Sequence, residues 1–231
     1  MLTGCFYGLR QHSPKSDSAL YLVFPAATTT IYTVDKGSHG GRKIFPTPAQ
    51  LTGPFIHLSC HQQGIPCFII LGAAGPVQIV FRAREQQAAL AWLRRRGYVV
   101  VEDRPEEPAV RACRHRLAAF LAGSQQEFYS LSPSPFLAQG TAFQQRVWAE
   151  ISRIPYGQTR TYGEIAKALG NRHLARAVGR ACGANPCALI IPCHRVVASN
   201  SLGGFSGGLA IKQKLLAIEA GTGKVNPPPA S

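Results

Sequence analysis

Between residues 19 and 34 (ALYLVFPAATTTIYTV), and again between 67 and 82 (CFIILGAAGPVQIVFR), the chain runs through β-branched and aromatic residues broken by Pro, Gly and Ala. Short apolar runs bounded by turn residues are the pattern of strands, so each stretch predicts a pair of them. The segment between the two is rich in Gly, Pro and Thr and predicts loop. Over 84–96 (REQQAALAWLRRR) the spacing becomes that of a helix, closed by Gly97. A strand from Tyr98 to Glu102 and a second helix from about Glu106 to Leu121 complete a small α/β domain.

Residues 130–140 (SLSPSPFLAQG) carry Pro133 and Pro135 and predict a domain connector. We therefore expect an N-terminal domain over 1–132, with 1–66 poorly assigned, a linker over 133–140 and a second domain over 141–222. Thr141 and Gln144 form a capping-box pattern ahead of Phe143, Val147, Trp148 and Ile151, a helix that stops at Pro155-Tyr156-Gly157. Thr161 and Glu164 repeat the pattern ahead of Tyr162, Ile165, Ala166 and Leu169, with Gly170 as the stop. A third helix follows Asn171, its apolar stripe being Leu174, Ala177, Val178 and Ala181. No internal repeat is present, and the Pro-rich tail over 223–231 predicts disorder.

Composition narrows the class. Of 231 residues, 45% are hydrophobic and 16% charged, which excludes disorder over most of the length. No apolar run approaches the ~18 residues of a membrane-spanning helix, and the first residues lack a secretory signal pattern, so an intracellular protein without a membrane partner is expected. The net charge is +14, and residues 141–231 hold 11 of the 25 basic residues against 3 of the 11 acidic ones. Such a balance suits a polyanionic partner. Seven Cys without framework spacing read as free thiols.

Two short helices joined by a tight turn in a basic segment match a helix-turn-helix. Arg172, Arg176 and Arg180 recur every four residues opposite the apolar stripe, with the small residues Ala175 and Gly179 between them. This face meets either DNA or solvent, and so does the run Arg94–Arg96, which a helix C-terminus favours electrostatically in any case. Residues 189–197 (LIIPCHRVV) read as a buried strand interrupted by Pro192-Cys193-His194-Arg195. Cys193 is either a small core hydrophobe or a nucleophile activated by its neighbours.

Tyr162, then ARAVGRACGANP over 175–186, IPCHRVV over 191–197 and GGFSGGLAIKQKLLAIE ending at Glu219 resemble the O6-alkylguanine-DNA alkyltransferases (methylated-DNA–protein-cysteine methyltransferases). The likeness runs from about Thr141 to Glu219, is looser over 67–140 and is absent over 1–66. It implies an α+β architecture: a small N-terminal α/β (ribonuclease-H-like) domain and a C-terminal helix-turn-helix (winged-helix-like) alkyltransferase domain. It also implies direct reversal of damage. The protein would flip an O6-alkylguanine out of double-stranded DNA and move the alkyl group irreversibly onto Cys193, acting once, as a monomer, without cofactor or metal. A non-catalytic lesion-binding protein and a cysteine hydrolase are the alternatives; relatives that bind lesions without repairing them replace the cysteine.

By the same resemblance His194 would act as base through a water, with Glu219 orienting it and Asn185 ordering the relay. Tyr162 would donate to the guanine ring, and Arg176 would fill the gap left by the flipped base. The carbonyls of Cys193 and Val196 would accept from the exocyclic amine, and the Ser206 region would donate to the oxygen that carries the alkyl group. Gly207 and Gly208 would let the loop approach the base, while Ala175, Arg172 and Arg180 would contact DNA. Arg195 would make a structural salt bridge. Phe205 stands where some members carry Tyr, Ala188 where the human-type protein has Pro, and the 198–204 loop is about one residue shorter. Cys5, His12, Cys60, His61 and Cys67 lack the paired spacing of a zinc site, so no metal is expected.

Overall fold

The structure is a computed structural model and describes residues 19–23, 30–34, 53–129 and 134–221. The chain divides into two compact units, 1–44 and 45–231. In the first, β1 (Ala19–Val23) and β2 (Thr30–Val34) pair antiparallel, with Tyr21 opposite Tyr32, which matches the expected strand pair. The disorder expected for 223–231 lies outside the described residues, as do Cys5 and His12.

In the second unit β3 (Phe55–Gln62), β4 (Ile65–Gly72) and β5 (Gly75–Val80) form an antiparallel meander, and β6 (Val100–Val101) adds in parallel beside β3. Helix α1 (Ala83–Arg95) and helix α2 (Pro108–Leu121) cover opposite faces of this sheet. The period-two alternation of β4 assigns them: Ile70 packs with Leu90 and Leu93 of α1, whereas Cys67, Ile69 and Leu71 pack with Val110, Leu117 and Phe120 of α2. Between the sheet and α1, the buried Gln86 amide donates to the carbonyls of Leu58 and Ile69, at 3.2 Å each.

Two expectations are corrected here. Strand β3 lies in the stretch read as loop; the Gly, Pro and Thr upstream and the polar His57, Ser59 and His61 hid an alternation that buries Phe55, Leu58 and Cys60. It closes on β4 through Gln63 and Gly64, whose φ values of 50° and 70° both lie in the left-handed region that a two-residue hairpin of matching twist requires. The connector over 133–140 is not a free linker from Ser134 onward. It holds helix α3 (Pro135–Ala138), with Pro135, Leu137 and Ala138 buried and Ser134 both capping the helix and donating to the Val77 carbonyl at 2.5 Å.

Helix α4 (Ala142–Ile151) and helix α5 (Tyr162–Ala168) start at the two expected capping boxes, each with both reciprocal hydrogen bonds present. A 3-10 turn over Arg172–Leu174 leads into α6 (Ala175–Gly183), so Arg172 precedes the helix that carries Arg176 and Arg180. Strands β7 (Arg160–Thr161) and β8 (Val196–Val197) pair in parallel, and α7 (Leu209–Glu219) closes the described chain. The α2 side of the core is continuous across the former boundary, joining Leu58, Ile69 and Phe120 to Ala188, Leu189 and Leu215.

The Trp148 indole ties α4 to α6 by donating to the Ala181 carbonyl at 2.8 Å. A Cβ at Gly140 would sit 2.4 Å from the Trp148 ring, so Gly140→Ala must displace a buried ring. We expect a loss of about 1 to 3 kcal/mol of stability, read as a lower urea midpoint at unchanged slope.

Candidate active site

The run over 189–197 folds as turns rather than as a strand. Only Val196 and Val197 pair; Cys193–Arg195 form a 3-10 turn, and Leu189 sits at φ 69°. Pro192 has no amide to give a ladder, and the Asn185 side chain reaches over six residues to take the Ile191 carbonyl at 2.8 Å. A buried non-glycine residue in the left-handed region, four residues before Cys193, is strain held by its surroundings.

This turn brings the expected residues together. The Asn185 amide also donates to Cys193 Sγ at 3.2 Å, while its oxygen accepts from the Cys187 amide at 3.0 Å. His194 is fully buried, and its Nε2 lies 2.8 Å from Glu219 Oε1 at the end of α7. Its Nδ1 has no hydrogen-bond partner among the described residues. Arg195 grips the same carboxylate through Nε and Nη2 at 2.9 to 3.1 Å and donates to the Ile154 carbonyl at 2.7 Å, the structural salt bridge expected of it. Gly157 adds its amide to Glu219 at 3.1 Å.

Electrostatics separate the roles. Burial works against the Glu219 carboxylate, but the hydrogen bonds and charges of His194 and Arg195 outweigh it and hold it at about 2. Burial pushes His194 down from its ordinary 6.5, against the pull of Glu219, so the imidazole is neutral at pH 7. Burial pushes the Cys193 thiol up, opposed by the Asn185 hydrogen bond and the Lys212 charge. At rest the sulfur therefore keeps its proton.

Cys193 opens onto a pocket of about 640 Å³, whose walls include Tyr162, Ala175, Arg176, Arg180, Phe205 and Ser206. The Tyr162 hydroxyl donates to the Gly204 carbonyl at 3.2 Å, and burial pushes it up to about 12, so it remains a proton donor. Arg172, Arg176 and Arg180 are exposed, but Arg172 stands outside the lining. His194, Asn185 and Glu219 lie behind the wall, and Val196 and Gly207 also stand outside the lining. Val196 directs its carbonyl to Lys212 at 2.6 Å, and Gly207 is wedged against Phe81 and Phe205.

One residue of this site went unread in the sequence. Lys212 is fully buried and donates to the carbonyls of Val196, Leu202 and Gly204 at 2.6, 2.5 and 3.2 Å. Burial pushes its ammonium down to about 8, with Cys193 and Cys182 pulling it back. The signal was available: Lys212, Leu215, Leu216 and Glu219 share one face at i, i+3, i+4, i+7, and all four are buried. Cys182 also lines the pocket, so this wall carries a second thiol, which burial keeps protonated. No group of three or more His, Cys, Asp or Glu among the described residues is arranged to hold a metal.

Glu219→Gln would leave the buried Arg195 guanidinium uncompensated, with an expected cost of about 3 to 5 kcal/mol. Both shifts at the pair are downward, so the unfolded chain binds the extra protons as pH falls and stability is lost with them. For His194 the loss begins as pH drops below 6.5; for Glu219 it runs between 4.5 and about 2. Urea midpoints measured from neutral pH downward should fall in that order in the native protein, and Glu219→Gln should lack the carboxylate component.

Residues 142–221 match the family model described as "6-O-methylguanine DNA methyltransferase, DNA binding domain". The methylated-DNA–protein-cysteine methyltransferase of Methanosarcina acetivorans is 47% identical over 115 residues, 49% of this chain and 70% of that protein. Its namesake in Mycobacterium tuberculosis is 47% identical over 116 residues, 50% of this chain and 68% of that protein. The crystal structure of the M. tuberculosis O6-methylguanine methyltransferase superposes with a TM-score of 0.59 at 31% identity, covering 74% of this chain and 96% of that one. The M. tuberculosis OGT in complex with DNA gives 0.55 at 32% identity, covering 73% and 94%. Sequence and fold agree, and the chain belongs to the methylated-DNA–protein-cysteine methyltransferase family.

Proposed function

We propose that Cys193 is the acceptor in a single-use repair reaction on double-stranded DNA containing O6-alkylguanine. The protein is a methylated-DNA–protein-cysteine methyltransferase and repairs by direct reversal. One observation carries the assignment of roles: a thiol at a pocket wall, backed by a buried neutral histidine that is bonded to a carboxylate on one nitrogen and, among the described residues, unpartnered on the other.

In this reading Cys193 Sγ attacks the alkyl carbon, the S–C bond forms as the C–O6 bond breaks, and guanine departs with the electron pair of that bond. The thiol proton leaves through a water to His194 Nδ1, and Glu219 stabilises the imidazolium. Tyr162 supplies a proton to the departing guanine. The thioether has no hydrolytic exit, so each molecule acts once; the proposed reaction calls on a single chain and on no cofactor. Arg176 fills the stack after the base leaves it, and Ala175, Arg172 and Arg180 meet the backbone. Phe205 faces the base, Ser206 donates to its oxygen, and the second lone pair of the Val196 carbonyl accepts from its amine. The sheet with a helix on each face fits a ribonuclease-H-like domain, and α4 to α6 with the β7–β8 pair fit a winged-helix-like one.

Mixing the protein with excess duplex containing O6-methylguanine should add one methyl per molecule, mapped to Cys193 by peptide mass. Cys193→Ala should take up none while still binding the duplex. A methyl mapped elsewhere, or uptake by the variant, would overturn the assignment. Arg176→Ala should slow repair of the duplex roughly tenfold or more while changing transfer from the free base little, because only the duplex requires flipping; equal slowing on both substrates would rule out the stacking role.

A further inference from the structure

The reactive loop rests on an aromatic residue from the other half of the fold. Phe81 follows β5, is buried, and packs its ring against that of Phe205, with centroids 5.5 Å apart and planes inclined by 47°. Phe205 lines the pocket in turn. Gly207 lies against both rings: an added Cβ would lie 2.8 Å from Phe81 Cδ2, 3.0 Å from Phe81 Cβ and 2.9 Å from Phe205 Cε1. The absence of a side chain at Gly207 thus serves the contact between the two phenyl rings. Position 81 is itself fixed, because the neighbouring Ile79 bridges Cys187, giving its amide to the Pro186 carbonyl at 2.9 Å and taking the Ala188 amide at 3.0 Å.

We propose that Phe81 is a positioning residue for alkyl transfer: through the ring contact that Gly207 leaves room for, it holds the Phe205 ring at the angle at which that ring receives the flipped guanine. The inference rests on the reading of Cys193 and Phe205 given above. Phe81 stands outside the pocket lining. Its effect therefore passes through Phe205, and it falls on the transfer step rather than on contact with the DNA backbone, which belongs to the arginine face. Tilted aromatic pairs at this separation contribute an orientation preference beyond their buried area.

The test is a double-mutant cycle on the full chain: native, Phe81→Leu, Phe205→Leu and both together, each reacted in excess with duplex containing O6-methylguanine. Phe81→Leu should lower the maximal transfer rate roughly three- to tenfold. The half-saturating protein concentration, the one-methyl stoichiometry and the rate at which iodoacetamide alkylates Cys193 should stay as in the native protein. In the Phe205→Leu background the same change should cost less than about twofold, because residues acting through one contact are not additive. Equal slowing in both backgrounds, or no slowing in either, would overturn the positioning role. A fall in methyl uptake per molecule in step with a lower urea midpoint would reduce Phe81 to a structural residue. Failure of the native protein to methylate Cys193 would instead remove the reading on which the inference stands.

Discussion

A carboxylate withdrawn from water is tolerable only if its oxygens find donors, and Glu219 meets that condition with three residues from two stretches of chain. Arg195 supplies a fork of charged hydrogen bonds, His194 one ring nitrogen, and Gly157 a backbone amide. Arg195 in turn holds the Ile154 carbonyl, so the turn after α4, the cysteine turn and the end of α7 meet around one negative charge. Moving any of them exposes a buried ion without its partner. That cost fixes where His194 stands, and with it which ring nitrogen remains available to chemistry.

The same arrangement explains how the thiol of the proposed reaction can be both buried and reactive. Arg195 neutralises Glu219, so the carboxylate does not draw His194 into its charged form, and burial leaves the imidazole free to accept a proton. Cys193 is likewise held as the thiol by burial, while the Asn185 amide and the Lys212 ammonium favour the anion once the proton leaves. In the proposed reaction proton removal is thus a step of the transfer and not a resting property of the site. A thiolate formed only on demand suits a residue that is consumed in one event, because sulfur that stays protonated is shielded from adventitious alkylation.

Much of the C-terminal half was legible because its signals are local. A capping box is defined within four residues, and both appear where the spacing put them, at Thr141 and Thr161. The motif residues Asn185, Cys193, His194 and Glu219 converge as the resemblance implied. Non-local features misled. The apolar run around Cys193 has the composition of a strand, but a side chain eight residues upstream and a proline turn it into a coil. Strand β3 owes its existence to pairing with β4 and β6 and not to its own propensity. The connector read from its prolines is packed because Ser134 finds a carbonyl in β5, a partner that sequence spacing cannot reveal. Lys212 escaped notice because a lysine is usually exposed; only its place in a buried stripe that also contains Glu219 sets it apart.

The N-terminal sheet acquires a role from where its edge lies. Val77 on β5 takes the Ser134 hydroxyl and the Cys187 thiol on its carbonyl, and Ile79 exchanges backbone hydrogen bonds with Pro186 and Ala188. The residues immediately before the reactive turn are therefore registered against a strand that is rigid because both faces of its sheet are covered. Helix α6 enters this segment from one side and the turn leaves from the other, so the exposed arginine face and the thiol take their separation from the same edge. A loop unsupported at this point would let the turn relax away from the left-handed Leu189 and the Asn185 bridge that shape it. The proposed transfer needs the base, the alkyl carbon and the sulfur aligned, and anchoring a strained turn to a sheet supplies a fixed position for the sulfur.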